Sequence, residues 1–216
     1  MSLDQYKILY DSGRPFVVVG LGSLSSTIFS ILPKSKTQQL SVEHVLDSDQ
    51  SWINQYQFIV CTSNVPLKQK VVGHLKERNA QFFSLIGTQN NVIDDIKIGT
   101  GTFINSFNDL LSGPIEIGDH CIVACFNQFC HGAYINDYCH ISSYCYISDC
   151  RIGIGCVIGV RTTIIGGWER VSQPMELAPY TNVTMNSTVT KPIREAGTYH
   201  SNRKISSDTS LEKRIL

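Results

Sequence analysis

The 216-residue sequence has no excess of charge of either sign: 18 Lys and Arg stand against 18 Asp and Glu. A formally neutral chain offers no bulk electrostatic argument for binding nucleic acid or an anionic membrane. Long apolar runs are also missing. Those present, such as Phe16–Val19, fall far short of the roughly 20 residues that span a bilayer. No basic segment followed by an apolar stretch opens the chain, so no export signal is expected and a cytoplasmic location is the default. Seven of the eight cysteines crowd between Cys121 and Cys156, yet none belongs to a CxxC pair. That spacing argues against a zinc site or a disulfide framework. With 42% hydrophobic and 17% charged residues, the composition is that of an ordinary soluble protein of one large domain or two small ones.

What the sequence does contain is a period of six. Ile117, Val123, Phe129, Ile135, Ile141 and Ile147 recur at six-residue steps, one five-residue step leads to Ile152, and Ile158 and Ile164 continue. Two residues before each anchor from Val123 onward stands a small side chain: Cys121, Asn127, Ala133, Cys139, Cys145, Cys150, Cys156 or Thr162. Neither the 3.6-residue period of a helix nor the two-residue period of a strand gives six. One large and one small inward position per hexapeptide predicts a parallel β-helix, a triangular prism whose coils take about 18 residues and rise about 4.8 Å each. Coils are expected from near Ile98 and Ile104, with a break around Leu111–Pro114 and a regular run to Ile164. A loop over Gly166–Pro174 carrying Trp168, Glu169 and Arg170 then precedes a resumption at Leu177, Val183 and Val189. The pattern also accounts for the cysteines. Cys121, Cys139, Cys145, Cys150 and Cys156 fill small inward positions as compact apolar groups, whereas Cys125 and Cys130 are expected nearer the surface. Phe126, Tyr134, Tyr144 and Tyr146 are expected on outer faces, where apolar patches mark interfaces, and His120 on the surface of its coil.

The first ninety residues follow other rules. Phe16–Gly20 reads as a short buried strand, Gly20-Leu21-Gly22-Ser23 as a glycine turn, and Leu24–Leu32 as a helix. Gln57–Cys61 reads as a second strand, Val65–Asn79 as a helix with Leu67, Val71, Val72 and Leu75 on one face, and Gln81–Ile86 as a third strand. This alternation predicts a small, Rossmann-like α/β unit over 1–90, followed by the β-helix over 91–200 and a polar tail over 201–216. Lys34–Asp49 is polar and ambiguous. The glycine turn keeps two of the three glycines of the dinucleotide fingerprint, with Ser25 at the third. It is either a plain tight turn or an anion site, where close backbone approach and a helix N-terminus meet a phosphate.

Together these residues resemble the hexapeptide acyltransferases that N-acetylate nucleotide-linked amino sugars, a family grouped with sialic acid O-acetyltransferases. The likeness runs over nearly the whole chain. Phe16-Val-Val-Val-Gly-Leu-Gly-Ser resembles the family's strand and glycine turn, and Phe58-Ile-Val-Cys-Thr-Ser-Asn64 its next strand–helix unit. Ser84-Leu-Ile-Gly-Thr-Gln resembles its linker into the prism, and Val189-Thr-Lys-Pro-Ile its last coil. The resemblance implies a left-handed β-helix, a homotrimer with active sites between subunits, acetyl-CoA as co-substrate and no metal. It implies that a nucleotide sugar is held by the N-terminal unit at Gly20, Gly22, Ser23, Leu24 and Asn64. The sequence departs from the family at Leu21, where alanine is usual, and at Leu24, where histidine is usual.

The family's catalytic histidine is followed nine residues later by a second one, and Cys130-His131-Gly132 with Ile135-Asn-Asp-Tyr-Cys-His140 keeps that spacing. The resemblance therefore implies His131 as general base and His140 near the acetyl thioester. Ser148, Arg161 and Lys191 are further candidates for binding acetyl-CoA, the cations through its phosphates, with Arg194, Arg203 and Lys204 beside them. An imidazole, with an ordinary pKa of about 6.5, takes the proton as the amine attacks. The acids that flank the family's base are replaced by Cys130 and Gly132. Asp149 follows His131 by one coil of 18 residues, and equivalent positions on successive coils stack one strand spacing apart. Asp149 is therefore expected to restore the lost acid. The expected reaction is acetyl transfer to an amine of a nucleotide-linked sugar, by resemblance a 4-amino-4,6-dideoxy sugar for surface glycans. Three alternatives stay open. One is sugar O-acetylation, and another a prism that binds a nucleotide sugar without turnover, which the missing acids favour. The last is a zinc enzyme like the γ-class carbonic anhydrases, although His120, His131 and His140 lie 11 and 9 residues apart, unlike that family's paired histidines.

Overall fold

The computed structural model describes residues 3–47, 51–92, 96–110, 113–166 and 175–207. The expected loop with Trp168, Glu169 and Arg170, and Leu111 at the start of the expected break, lie outside the described residues.

Three parallel sheets form the prism. The first face runs through Ser84–Gly87, Phe103–Ile104, Ile122–Val123, His140–Ile141, Val157–Ile158, Thr181–Val183 and Gly197–His200. The second includes Gln128–Cys130, Tyr146–Ser148 and Thr163–Ile165, and the third Ile115–Ile117, Tyr134–Ile135 and Cys150–Ile152. All nine anchors from Ile117 to Ile164 are at most 2% exposed, and the eight small partners at most 3%. The six-residue period is thus the period of inward-facing pairs. Ladder partners are equivalent residues of successive coils, such as Phe129 with Ile147 and Ile141 with Ile158.

The small column does more than fill space. Thiols of Cys121, Cys139, Cys145 and Cys156 approach the carbonyls of Asn136, Gly153, Gly159 and Ala178 on the next coil at 3.2–3.3 Å. Asn127 accepts the Cys145 N–H at 2.8 Å, and Asn108 accepts the Asn127 N–H at 2.9 Å. These contacts satisfy turn groups that the ladders leave without a partner, where a bare apolar filler would strand them. All eight cysteines are free. The five-residue step is absorbed at one corner. His131 and Gly132 both take positive φ (46° and 79°), whereas the next coil turns on Asp149 alone (49°), so Ile135 still pairs with Ile152.

The N-terminal unit has strands β1 (Tyr6–Leu9), β2 (Phe16–Val19), β3 (Thr37–Leu40), β4 (Gln57–Val60), β5 (Gln81–Phe82) and β6 (Ser84–Gly87), with helices α1 (Ser23–Ile31), α2 (Val42–Asp47) and α3 (Val65–Lys76). Its own sheet is parallel, in the order β3-β2-β4-β5. Alternation along β2 sends Phe16 and Val18 to one side, packed with Ile28 and Ile31 of α1 and with Phe103 and Ile122 on the outside of the prism's first face. Val17 and Val19 point the other way, against Val45 of α2 and Val71, Val72 and Leu75 of α3. Helix α1 is thereby held between the small sheet and the prism.

Several expectations are corrected. Gln81–Ile86 is not one strand: β5 closes the N-terminal sheet, and β6 already belongs to the prism, so the coils begin before Ile98. Strand β1, which has no periodic signature, pairs antiparallel with β6. The ambiguous Lys34–Asp49 stretch holds β3 and α2. Arg203–Ser206, read as tail, forms a strand antiparallel to Gly197–His200. Cys130 is buried, in contrast to half-buried Cys125. Phe126 and Tyr144 are exposed as expected; Phe126 stacks between Phe107 and Tyr144, at centroid separations of 5.2 and 5.0 Å respectively.

Truncating an anchor removes contacts on two neighbouring coils at once. Phe129→Ala is expected to cost about 3–5 kcal/mol, and Cys139→Ala, which loses one thiol contact and little volume, about 1 kcal/mol. Urea unfolding of the two variants beside the parent protein checks this ranking.

Candidate functional site

A cleft of about 540 Å³ opens at the junction of the N-terminal unit and the prism. Gly20, Leu21, Gly22, Ser23 and Leu24 form one wall, Ser41, Val42 and Glu43 a second, and Cys61, Thr62, Ser63 and Leu67 a third; His140 is contributed by the prism. The order of the parallel sheet explains this convergence. β2 and β4 are neighbours whose C-terminal ends lead into α1 and α3, so both turns open on the same edge. Gly20 has φ 125°, and a Cβ there would stand 3.0 Å from the Cys61 carbonyl oxygen, so the two turns approach as closely as only glycine permits. Ser25, at the third fingerprint position, is buried and donates its hydroxyl to the Gly22 carbonyl at 2.7 Å. It locks the turn rather than lining the cleft. No acidic residue occupies the first turn of α1, which leaves the helix N-terminus free to favour an anion.

Behind the cleft lies a buried polar cluster. Lys68 of α3 is fully buried, and its Nζ donates to the His120 carbonyl at 3.1 Å. Burial lowers the Lys68 pKa to about 8, with the thiols of Cys121, Cys61 and Cys139 acting in the opposite direction. His120 was expected at the surface, but it is 1% exposed. Its ring lies edge-on to Phe82 and stacked on Tyr138, because docking of β5 and α3 covers that corner of the prism. Burial, with Lys76 and Lys68 adding to it, lowers the His120 pKa to about 3. Burial and then Lys68 lower that of His140 to about 4. Nδ1 of His140 and both ring nitrogens of His120 are buried without a hydrogen-bond partner. Burial also pushes the Cys61 thiol up to about 12, so this cleft residue is a neutral wall and not a nucleophile.

Among the residues expected at a site, the cleft collects Gly20, Gly22, Ser23, Leu24 and His140. Asn64 stands beside it as the N-cap of α3, its Oδ1 accepting the Leu67 N–H at 3.0 Å. His131 lies elsewhere, exposed at the corner between the second and third faces. Asp149 occupies the same corner of the next coil; its N–H donates to the His131 carbonyl at 3.2 Å, and its carboxylate accepts from the hydroxyl of buried Ser148 at 3.3 Å. Arg161 and Lys191 are exposed and line neither the cleft nor the second groove, which is about 470 Å³ and lies on the third face. That groove is lined instead by Arg151 and Arg194, with Glu176 between coils. Arg151 also stacks over the Tyr134 ring at 4.7 Å. Sequence reasoning missed Glu43, Arg151 and Lys68. Glu43 carried one usable signal, an acid about 20 residues beyond a glycine turn. Arg151 and Lys68 carried none, since groove and burial arise only on folding. Among the described residues no group of three or more His, Cys, Asp or Glu side chains is arranged to hold a metal ion, and no helix is long and apolar enough to cross a membrane.

Two neutral imidazoles, buried His120 and half-buried His140, give a signed expectation. Below pH 6.5 the unfolded chain protonates these rings while the folded chain does not, so stability falls as the pH drops from about 6.5 toward 4. His140→Gln is expected to recover on the order of 2 kcal/mol of that loss at pH 4.5 and little at pH 7. Urea unfolding at the two pH values measures it.

No family model matches the sequence, and no curated protein does. Solved structures do match in fold. The acetyltransferase domain of PglB from Neisseria gonorrhoeae superposes with a TM-score of 0.69 at 14% identity, over 89% of this chain and 99% of that one; the domain is also known in complex with acetyl coenzyme A. WeeI from Acinetobacter baumannii gives 0.61 at 16% identity, over 88% and 98%. A variant of perosamine N-acetyltransferase from Caulobacter crescentus, in complex with CoA and GDP-perosamine, gives 0.62 at 12% identity, over 85% and 92%. The chain shares the fold of these proteins along almost their entire lengths.

Proposed function

We propose that the protein transfers the acetyl group of acetyl-CoA to an amine of a nucleotide-linked amino sugar, a 4-amino-4,6-dideoxy sugar used for surface glycans, as a cytoplasmic homotrimer. The observation that carries this reading is the cleft. In it a glycine turn, the free N-terminus of α1 and a prism histidine converge, in a fold shared with an N-acetyltransferase seen with CoA and GDP-perosamine. In this reading the first ninety residues are a Rossmann-like unit on a left-handed β-helix. The diphosphate lies against Gly20, Gly22 and Ser23, and Glu43 accepts from the ribose hydroxyls.

The cleft of one chain does not reach that chain's His131, which stands on another side of the prism. A neighbouring copy therefore brings its His131 to the sugar, and the exposed Phe107, Phe126 and Tyr144 stack is a surface such a contact can cover. CoA lies along the third-face groove, with Arg151 and Arg194 meeting its phosphates. The amine nitrogen attacks the thioester carbonyl carbon, His131 takes the proton that the nitrogen sheds, and the carbon–sulfur bond breaks. His131 then gives that proton to the departing thiolate, which yields CoA and restores the neutral base. Asp149, at the same corner one coil from His131, takes the place of the acids that Cys130 and Gly132 replace.

The reading is tested by thiol release from acetyl-CoA with UDP-, dTDP- and GDP-linked 4-amino-4,6-dideoxy sugars. Turnover on one acceptor is expected, with His131→Ala reducing kcat at least 100-fold and Asp149→Asn roughly tenfold. Turnover that survives loss of His131 removes it as the base. Binding of a nucleotide sugar without transfer favours a non-catalytic prism, and transfer to a hydroxyl sugar instead favours O-acetylation.

A further inference from the structure

The least expected group at the junction is Lys68. It is fully buried, and among the described residues no carboxylate pairs with it; its hydrogen-bond acceptor is one backbone carbonyl, that of His120. A buried ammonium is costly unless it is paired, and a methionine of similar length would fill the same space. Packing alone therefore does not account for a lysine here. Its position does suggest a use. Leu67, its neighbour on α3, lines the cleft, and Cys61 and His140, two further lining residues, both feel its charge. The ammonium thus sits one side chain behind the wall that faces the glycine turn.

We propose that Lys68 is the buried cation that holds the diphosphate of the bound nucleotide sugar, acting through the wall formed by Cys61 and His140; this rests on the cleft being the nucleotide-sugar site. The arrangement divides the work between three groups. The α1 N-terminus supplies direct N–H donors, His140 forms the part of the wall that the prism contributes, and Lys68 supplies the net positive charge. Placing the charge in the interior keeps it from water, so its field is less screened than that of a surface lysine. A cation in this place favours the diphosphate over an uncharged part of the ligand, which makes Lys68 a positioning residue and not a catalytic one.

The groups facing Lys68 simplify the test. Cys61 is pushed up to about 12, Cys121 and Cys139 are pushed up by burial, and His120 and His140 stay near 3 and 4. None of them changes charge between pH 7 and 9, whereas Lys68, with its pKa near 8, does. A terminal phosphate is already ionised over that range.

The experiment is calorimetric titration of the full chain with UDP, dTDP, GDP and inorganic pyrophosphate, and with the corresponding nucleosides, at pH 7 and pH 9. The parent protein is expected to bind its diphosphate roughly tenfold more weakly at pH 9, the scale of one short-range charge, with nucleoside binding unchanged. Lys68→Met is expected to bind the diphosphate about tenfold more weakly at pH 7, with no further loss at pH 9. Lys68→Arg, charged at both values, guards against a folding defect in the methionine variant: it should keep the affinity and lose the pH dependence. If Lys68→Met or Lys68→Arg matches the parent in affinity and pH profile, Lys68 is structural and the inference is overturned while the site stands. If the parent protein binds no diphosphate and no pyrophosphate, the nucleotide-sugar reading fails and this inference fails with it.

Discussion

The constraint on which the rest depends is the stacking of equivalent residues from coil to coil. Each face is a parallel ladder, and a residue is fixed less by its sequence neighbours than by the residues about 18 positions away. The anchors meet this constraint by apolar burial, each contributing about 1.5–3 kcal/mol. The small column meets it by hydrogen bonding, since cysteine thiols and asparagine amides reach corner groups of the adjacent coil. The corners are strained, because Phe126, His131, Tyr144, Asp149 and Arg161 all hold positive φ, a conformation that costs a non-glycine residue roughly 1 kcal/mol or more. The ladders on either side offset that cost. A stiff column results, and side chains at its corners keep their places without support from loops.

The N-terminal unit uses this column as a wall. Helix α1 is too short to stand alone and finds its apolar partners in Phe103 and Ile122 on the outside of the first face. Docking has a price in buried polar groups, since it encloses His120 and Lys68 and leaves both His120 ring nitrogens without partners. Burial holds the histidines neutral, which makes them compatible with an apolar junction. The same docking creates the cleft. Neither half has it alone, as the glycine turn and the prism's His140 belong to different sheets.

The two histidines nine residues apart show how a local motif can divide its labour. His140 points outward from the first face into the cleft, while His131 sits at the far corner beside Asp149. A half turn of the prism separates them, so their shared spacing does not put them in one site on one chain. A second copy of the same column supplies the missing side under the proposed mechanism, and the rigidity of the corners suits a residue that must meet a substrate held elsewhere.

The sequence by itself determined the prism, because a six-residue period of large and small side chains has one regular solution and every anchor from Ile117 to Ile164 is buried as that solution requires. It also determined β2, α1, β4 and α3 and the glycine turn between the first two, where local patterns are strong. Signals failed where folding relies on distant partners. β1 and the strand Arg203–Ser206 are set by pairing with β6 and Gly197–His200, and β5 and β6 read as one strand because both are extended and the change of sheet at Phe83 leaves no local mark. Only the tertiary structure decided that His120 is buried, that Lys68 is enclosed beneath the cleft, and that Arg151 lines a groove on the third face. The physical reason is common to all three. Burial and proximity at a junction depend on how two separately specified units pack, and a one-dimensional period records only the inward face of each.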